Sequence, residues 1–487
     1  MQNTSDNNGY PTTIAALRRE IVGLDTKVPV LDGGERPYVY LDNGASTPTF
    51  KRVLQCIQEF MPWYSGVHRG TGFKSWIATD AYDKAHDVVG RFVGADLASN
   101  LVTFTKNTTE SVNKLASRFR FQPNDVVVTT SMEHHSNDLP WRKHATVIHA
   151  PLLEYGYLDM NALKTILDEY RGRVRLVAVT GASNITGICS PIHQIAELAH
   201  AVGARVFVDA AQLAPHRPIN ILPNNSPQHI DFLAFSAHKM YAPFGTGVLI
   251  GPTEFFEESE PDAVGGGVAA IVTLDDVQWN HVPHNDEAGS PNVVGGIALA
   301  EACCMLQSVG LDAIAAHEQH LLDYTYKKLR KIPGMVFYGP TETLEDKVGV
   351  IAFNMEGLHP GLVGAILSVE GGIGVRNGYF CAQPYVKKLL SVSDDAAKDS
   401  GCGVATDDLT TFPGMVRASF GCYSNEADAD ALVEMLGRIS RKEYQGNYVQ
   451  DHNSGRFSEE RFTVSLKKYF PYLVSAAASE REYSESA

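Results

Sequence analysis

Two short segments of this chain carry side chains that could do covalent chemistry. Asp231-Phe-Leu-Ala-Phe-Ser-Ala-His-Lys239 is an apolar run that ends abruptly in Ser236, His238 and Lys239. Upstream, Arg205-Val-Phe-Val-Asp209-Ala-Ala-Gln212 is a second apolar run, closed by a carboxylate and an amide. Both read as buried strands, and a lysine at the mouth of a buried strand is costly unless it pairs or reacts. An aspartate and a lysine on neighbouring strand ends suit pyridoxal 5′-phosphate (PLP). The lysine bonds the aldehyde as a Schiff base, and the carboxylate keeps the pyridine nitrogen protonated so that the ring can draw off electrons. Taken singly, Lys239 would read as a solvated loop lysine and Asp209 as a helix cap. The neighbouring segments argue against that.

Further polar clusters follow other apolar runs. Residues 101–105 are followed by Lys106-Asn-Thr-Thr-Glu-Ser111. Backbone N–H groups at a helix start, with the Thr108 and Thr109 hydroxyls, make an anion site suited to a phosphate. The same residues would also serve as a plain cap with Glu110 in the first turn. Residues 126–130 are followed by Ser131-Met-Glu-His-His-Ser136, where a flat imidazole could stack on a pyridine face. Metal binding by His134 and His135 is not expected, because adjacent residues of an extended segment point to opposite sides. After residues 176–180 comes Gly181-Ala-Ser-Asn-Ile-Thr-Gly187. Its Asn184 could reach the cofactor's phenolic oxygen or a substrate carboxylate, and Gln212 could reach the same oxygen. Ser236 and His238 could hold phosphate, and Gly245-Thr-Gly247 permits a close backbone turn.

The elements that must position these groups are legible as an alternation. Strands are expected at 101–105, 126–130, 176–180, 205–208, 232–235 and 247–250, with helices at 111–119, 160–170 and 192–202 between them. Such alternation implies right-handed βαβ units, a mainly parallel sheet, and ligands beyond the carboxyl ends of the strands. A long helix is expected over 293–309. Beyond about residue 315 the pattern changes to strands at 334–338 and 348–354 and helices near 361–369 and 428–439, an α+β region. Residues 391–413 read as a long loop, a length that is usually functional or disordered. An N-terminal arm with a helical segment over 12–21 precedes the alternation, and a polar, aromatic tail with a weak helical patch at 462–469 follows.

Bulk properties narrow the function classes. The chain has 487 residues, too many for one core. Its formal net charge of −15, from 41 basic and 56 acidic residues, disfavours a nucleic-acid partner. No apolar run is long enough to span a bilayer, and the N-terminus lacks the parts of a signal peptide, so a cytoplasmic location is expected. The seven cysteines include no C-x-x-C pair and are expected to be reduced.

Taken together, the segments resemble the class V aminotransferase family of PLP fold type I and, more narrowly, the group II cysteine desulfurases and selenocysteine lyases. The matching segments are Tyr40-Leu-Asp-Asn-Gly-Ala-Ser46, Val67-His-Arg-Gly70, Thr108-Thr-Glu110, Glu133-His-His135, Ser183-Asn184, Val208-Asp-Ala-Ala-Gln212, Ser236-Ala-His-Lys239, Glu287-Ala-Gly-Ser-Pro-Asn292, Val375-Arg-Asn-Gly-Tyr-Phe-Cys381 and Arg417-Ala-Ser-Phe420. They keep the family's order over roughly residues 38–440.

The resemblance implies an α/β fold. A large PLP-binding domain (36–305) with a mainly parallel, seven-stranded-type sheet would join a smaller α+β domain (306–445), with an arm (1–35) against the small domain and a tail (446–487). It implies Lys239 as the Schiff-base lysine, His134 stacked on the ring, Asp209 at its nitrogen and Gln212 at its phenolic oxygen. Thr108, Thr109, Ser236 and His238 would bind phosphate, joined by Ser290 across a homodimer interface. Asn184, Arg376, Arg417 and His68 would receive the amino acid, and Cys381 would be the nucleophile that accepts sulfur from L-cysteine and passes it to an acceptor, a sulfur-acceptor protein among the candidates. No metal is implied. Related desulfurases carry a His-His pair just before the cysteine, where this chain has Tyr379-Phe380. That departure keeps open a selenocysteine lyase, a carbon–sulfur lyase or an epimerase without an essential cysteine. An idle scaffold fits poorly with retention of Lys239, Asp209 and both arginines.

Overall fold

The computed structural model describes residues 9–283, 285–393, 413–452 and 454–472. Most of the expected loop at 391–413, including Cys402, therefore lies outside the described residues.

The centre of the molecule is a seven-stranded sheet. Its strands in chain order are β1 (Asn100–Thr105), β2 (Val126–Thr130), β3 (Thr146–Ala150), β4 (Val174–Thr180), β5 (Arg205–Asp209), β6 (Phe232–Ser236) and β7 (Gly247–Pro252). They lie in the order β1-β7-β6-β5-β4-β2-β3. β7 runs antiparallel to both β1 and β6, and the other pairings are parallel. β1, β2, β6 and β7 are buried along their whole length; β6 and β7 therefore read as nearly continuous apolar runs, while β1 and β2 also bury threonines. β3 is a partly exposed edge strand of sequence Thr-Val-Ile-His-Ala, and its mixed pattern gave no sequence signal.

One reversal of β7 between β1 and β6 leaves those two strands parallel to each other. The carboxyl ends of β1, β2, β4, β5 and β6 therefore share one edge of the sheet. Gly247 makes this edge tight: a Cβ there would sit 2.5–2.9 Å from the Asn107 backbone, so only glycine lets β7 pass the turn after β1.

Helix Val293–Val309 is apolar all round, as expected of a helix packed on several sides, and it crosses helix Phe73–Phe92. The latter was not foreseen. Its buried Ala78, Tyr82, Ala85 and Val89 keep a helical period, but exposed Phe73 and Trp76 blur it.

The second region is a four-stranded antiparallel sheet of β8 (Met335–Tyr338), β9 (Val350–Met355), β10 (Arg376–Gly378) and β11 (Met415–Ser419), in the order β8-β9-β11-β10. Helices Leu311–Leu329, Pro360–Gly371 and Glu426–Ser440 cover it. A distinct apolar cluster, including Leu321, Phe353, Leu367, Val416 and Leu432, holds these parts together. The arm helix forms over Ile14–Arg19, where Arg18 donates to Asp428 (2.8 Å) and to the Tyr423 carbonyl (2.8 Å). The tail contains a hairpin, Tyr448–Gln450 with Phe457–Glu459, and the patch expected at 462–469 is helical only over Leu466–Tyr469. Among the described residues no single helix is long and apolar enough to cross a bilayer.

Candidate active site

The carboxyl edge of the large sheet and the end of the small one enclose a cavity of about 300 Å³. Thr108, Thr109, His134, Asn184, Asp209, Gln212, Ser236, His238, Lys239, Arg376, Cys381 and Arg417 all border it. Of the expected site residues, only His68 and Ser290 do not. His68 pairs through Nε2 with Asp83 at 3.1 Å, on a left-handed backbone. Ser290 is exposed outside this chain's own cavity.

On the large-domain side, backbone geometry sets the site. Helix Thr108–Arg118 starts at the cavity with Asn107 as its cap, whose side chain accepts from Glu110 N–H. The Thr108 N–H donates to Ser236 Oγ at 2.8 Å, and the two hydroxyls lie 2.7 Å apart. The Thr109 hydroxyl meets Ser136 Oγ at 2.7 Å. Hydroxyls, helix-start N–H groups and His238 thus converge on one corner, a cradle for a phosphate.

His134 Nδ1 accepts the Ser136 N–H at 3.1 Å, which places its proton on Nε2. Burial, with Lys239 adding to it, pushes this imidazole down to about 3, so the ring is neutral. His238 is likewise pushed to about 4 by burial and Lys239. Asp209 is almost fully enclosed, and its Oδ1 accepts Ala211 N–H at 3.0 Å. Burial raises its proton affinity. Burial also pushes the Lys239 amine down to about 8, against the pull of Asp209. Gln212 Nε2 donates to the Gly44 carbonyl at 2.5 Å, so its amide is committed to the 42–47 segment that wraps the lysine turn. That segment is fixed in turn by Thr47 N–H on the His238 carbonyl, at 2.8 Å.

These groups fit PLP by their chemistry. A buried carboxylate and a buried, readily deprotonated amine border one cavity beside an anion cradle and a neutral flat ring, and the cavity has the volume of an ordinary small-molecule site.

On the small-domain side, side chains and ion pairs set the site. Asp42 accepts from Arg376 Nε (3.0 Å) and Nη2 (2.9 Å) and from Arg417 Nη2 (3.1 Å). Arg417 Nη1 donates to the Asn184 carbonyl at 2.9 Å, its guanidinium stacks over Phe380 at 5.0 Å, and its buried Nε has no partner. The Asp42 hydrogen bond lifts the proton affinity of Arg376. Asp42 was missed in the sequence, although it lies inside the Tyr40–Ser46 segment. Its partners are 334 and 375 residues away, and only the fold joins them.

Cys381 is exposed at the cavity wall. Phe380 and Cys381 both adopt left-handed backbone, at φ 52° and 56°. Non-glycine residues persist there only when their surroundings over-determine them. Asn184 Nδ2 donates to the Phe380 carbonyl (2.8 Å) and His135 N–H to the Cys381 carbonyl (2.7 Å). The bend that presents the thiol is thus pinned by the large domain. Beneath it, the buried Glu133 carboxylate accepts from the Thr130 hydroxyl (2.5 Å), Asn137 Nδ2 (2.7 Å) and Thr180 N–H (3.0 Å), which ties the ends of β2 and β4 together under His134.

Residues 39–432 match the model of the family described as aminotransferase class-V. The chain is 34% identical to a cysteine desulfurase of Haloferax volcanii, over 88% of this chain and 97% of that one. It is 35% identical to a probable cysteine desulfurase of Halalkalibacterium halodurans, over 86% and 97%. Among solved structures it is similar to an apo cysteine desulfurase from Thermococcus onnurineus (33% identity, TM-score 0.73, covering 83% of this chain and 95% of that one). It is also similar to an Escherichia coli cysteine desulfurase in its S-sulfonic acid form (29%, TM-score 0.73, 89% and 99%).

Proposed function

The chain belongs to the aminotransferase class-V family, and we propose that it is a PLP-dependent cysteine desulfurase that converts L-cysteine to L-alanine and takes the sulfur onto Cys381. When bound, PLP supplies an electron sink for charge that develops on the substrate. Lys239 would hold the aldehyde end, and its amine would be placed to move the α-proton. Asp209 would hold the proton on the ring nitrogen, and neutral His134 would cover the ring. Thr108, Thr109, Ser236 and His238 hold the phosphate. Arg417 and Arg376 receive the α-carboxylate, for which a guanidinium fork is suited.

The Cys381 thiolate attacks the substrate sulfur. An S–S bond forms, the C–S bond breaks, and its electron pair passes to the substrate carbon, which takes a proton. Alanine leaves and a persulfide stays on Cys381. A thiol acceptor, small or protein-borne, then takes the sulfur and restores the cysteine.

The observation that carries this reading is the exposed thiol on a doubly pinned left-handed bend at the cavity wall. A cysteine kept only for packing would be buried and on relaxed backbone. A second reading, a lyase or epimerase in which Cys381 is dispensable, is favoured by Phe380, whose ring fills the place before the cysteine and stacks under Arg417. Holoenzyme of Cys381→Ser, given L-cysteine, separates the two. The desulfurase reading expects a shift of the cofactor absorbance but little alanine or sulfide. Full alanine production by the variant would overturn it.

A cytoplasmic homodimer is part of the proposal. Exposed Met61, Trp63, Tyr64, Phe73 and Trp76 form an apolar surface of the kind that marks an interface. Ser290 would reach the partner's phosphate from the loop after Glu287, which is anchored on Phe104 N–H (2.7 Å) and His86 Nε2 (2.9 Å). Light scattering that found an active monomer would refute the dimer.

A further inference from the structure

At the end of the sheet opposite the cavity, His200, His229 and Asp231 bring their ligand atoms within 4.8 Å of one another. His200 closes helix Ile192–His200, and Asp231 immediately precedes β6. His200 Nε2 lies 2.8 Å from Asp231 Oδ2, and His229 Nε2 lies 3.2 Å from Oδ1. The two rings are stacked, with centroids 4.3 Å apart.

The far nitrogen of each ring is spoken for. His200 Nδ1 meets the Pro227 carbonyl at 2.7 Å, and His229 Nδ1 meets the Ser226 carbonyl at 2.6 Å. A carbonyl only accepts, so both Nδ1 atoms carry protons. In the neutral rings both Nε2 lone pairs then face a carboxylate that can only accept as well. With both rings neutral, three acceptors converge with no proton among them, and a single added proton serves only one of the two ring nitrogens. Protonating both rings would supply donors but would set two positive charges face to face. One cation shared by the three atoms satisfies all of them. Backbone carbonyls on the remote histidine nitrogens are also how metal-bound imidazoles are held.

We propose that His200, His229 and Asp231 bind a divalent first-row transition cation, with zinc as the probe. Tetrahedral zinc with bonds of about 2.0–2.1 Å has ligand–ligand edges of about 3.3 Å; the His229 Nε2–Asp231 Oδ1 separation of 3.2 Å is near that, and His200 Nε2 lies 2.8 Å from the other oxygen of the same carboxylate. Asp231 Oδ2 also accepts Val206 N–H at 2.8 Å, which leaves Oδ1 as the oxygen ligand. The opposing cation, Arg205, is 3.9 Å from Oδ1 and is drawn away over Phe232 and Phe255 and toward Glu254. The histidine side chains are 18% and 13% exposed, so water can complete the shell. The site joins the amino ends of β5 and β6, whose carboxyl ends carry Asp209 and Lys239. Its role would be to brace these two strands.

The test uses full-length, cofactor-loaded protein stripped with a chelator and titrated with Zn²⁺ by calorimetry, with metal content and Tm measured. One equivalent per chain and a rise in Tm with metal are expected. His200→Ala and His229→Ala should each lose that equivalent, whereas Cys381→Ser should keep it. His229→Gln, which preserves size and polarity, should lose it too, with the cofactor absorbance reporting that the fold is intact. No binding, binding retained in the histidine variants, or binding lost in Cys381→Ser would each overturn the site.

Discussion

The two walls of the cavity are built differently. The large-domain wall is made of strand ends, helix-start N–H groups and buried residues whose partners are mostly backbone atoms: Thr108 and Ser236, Asp209 and Ala211, Gln212 and Gly44. The small-domain wall is made of long side chains held by one another: Arg376, Arg417, Asp42 and Phe380, with Cys381 on a constrained bend. The first arrangement is rigid because the sheet is rigid. The second depends on ion pairs and stacking that a bound amino acid must enter. A fold that fixes its cofactor wall and leaves the facing wall to side chains can change its chemistry without losing its cofactor, which is why membership of the family says less about the reaction than about the fold.

Mutations can break this contrast at either wall. The largest effect is expected from Lys239→Ala, which should remove turnover below detection while PLP remains bound without a covalent link. Mass spectrometry after borohydride reduction should find the pyridoxyl group on Lys239 of the native protein, and label on another lysine would contradict the assignment. Asp209→Asn should keep the fold, as judged by Tm, and lower kcat by at least about 10²-fold, because an amide cannot hold the ring proton. On the facing wall the losses should be smaller and fall on binding. Arg417→Lys loses the planar fork, and about a 10–10²-fold fall in kcat/KM is expected, mostly through KM. Asp42→Asn should raise KM by about tenfold or less, since it loosens the arginines without removing them. A fall in kcat alone in either variant would mean that the arginines act on the reacting atoms and not on the carboxylate.

The smallest effect sharpens the comparison from outside both walls. Lys347 is also buried and is pushed down to about 7 by burial, yet its amine donates to the Tyr326 hydroxyl (3.0 Å) and the Pro340 carbonyl (3.1 Å) and it does not line the Lys239 cavity. Between about pH 7 and the unperturbed value of about 10.4 the folded chain binds fewer protons there than the unfolded one. Stability therefore rises with pH across that window. Lys347→Met should leave activity unchanged, raise Tm at pH 7 and flatten that rise. Melting curves at several pH values would show it. Burial and a weakened hold on the proton are thus shared by both lysines, and only the cavity and Asp209 distinguish the reactive one.

The same contrast explains what could be read before the fold was known. Strands with both faces buried are continuous apolar runs, and β2 and β6 were located within a residue of their ends. The polar residues that follow such runs fall at one sheet edge by geometry, so Lys239, Asp209, Gln212 and the Thr108 corner could be gathered from the sequence. The facing wall was legible mainly through family likeness. Arg376, Cys381 and Arg417 lie on or beside short strands with no distinctive pattern, and Asp42, which organises them, has no local signal. β3 and helix Phe73–Phe92 escaped for a related reason: their exposed positions carry apolar residues or break the period.

The Asp42 clamp also sets a rule of valence. Two guanidinium groups share one carboxylate, and His134 and His238 are neutral, so this side of the pocket holds one positive charge in excess. One α-carboxylate cancels the excess on this arginine pair, of which Arg417 is buried and Arg376 half-exposed. An amino acid with an acidic side chain brings a second negative charge into a space where Arg417 is almost wholly cut off from water and no counter-charge remains. Cysteine and other neutral side chains are therefore expected to be favoured over aspartate and glutamate by charge rather than by shape, which competition assays with the acidic amino acids would check.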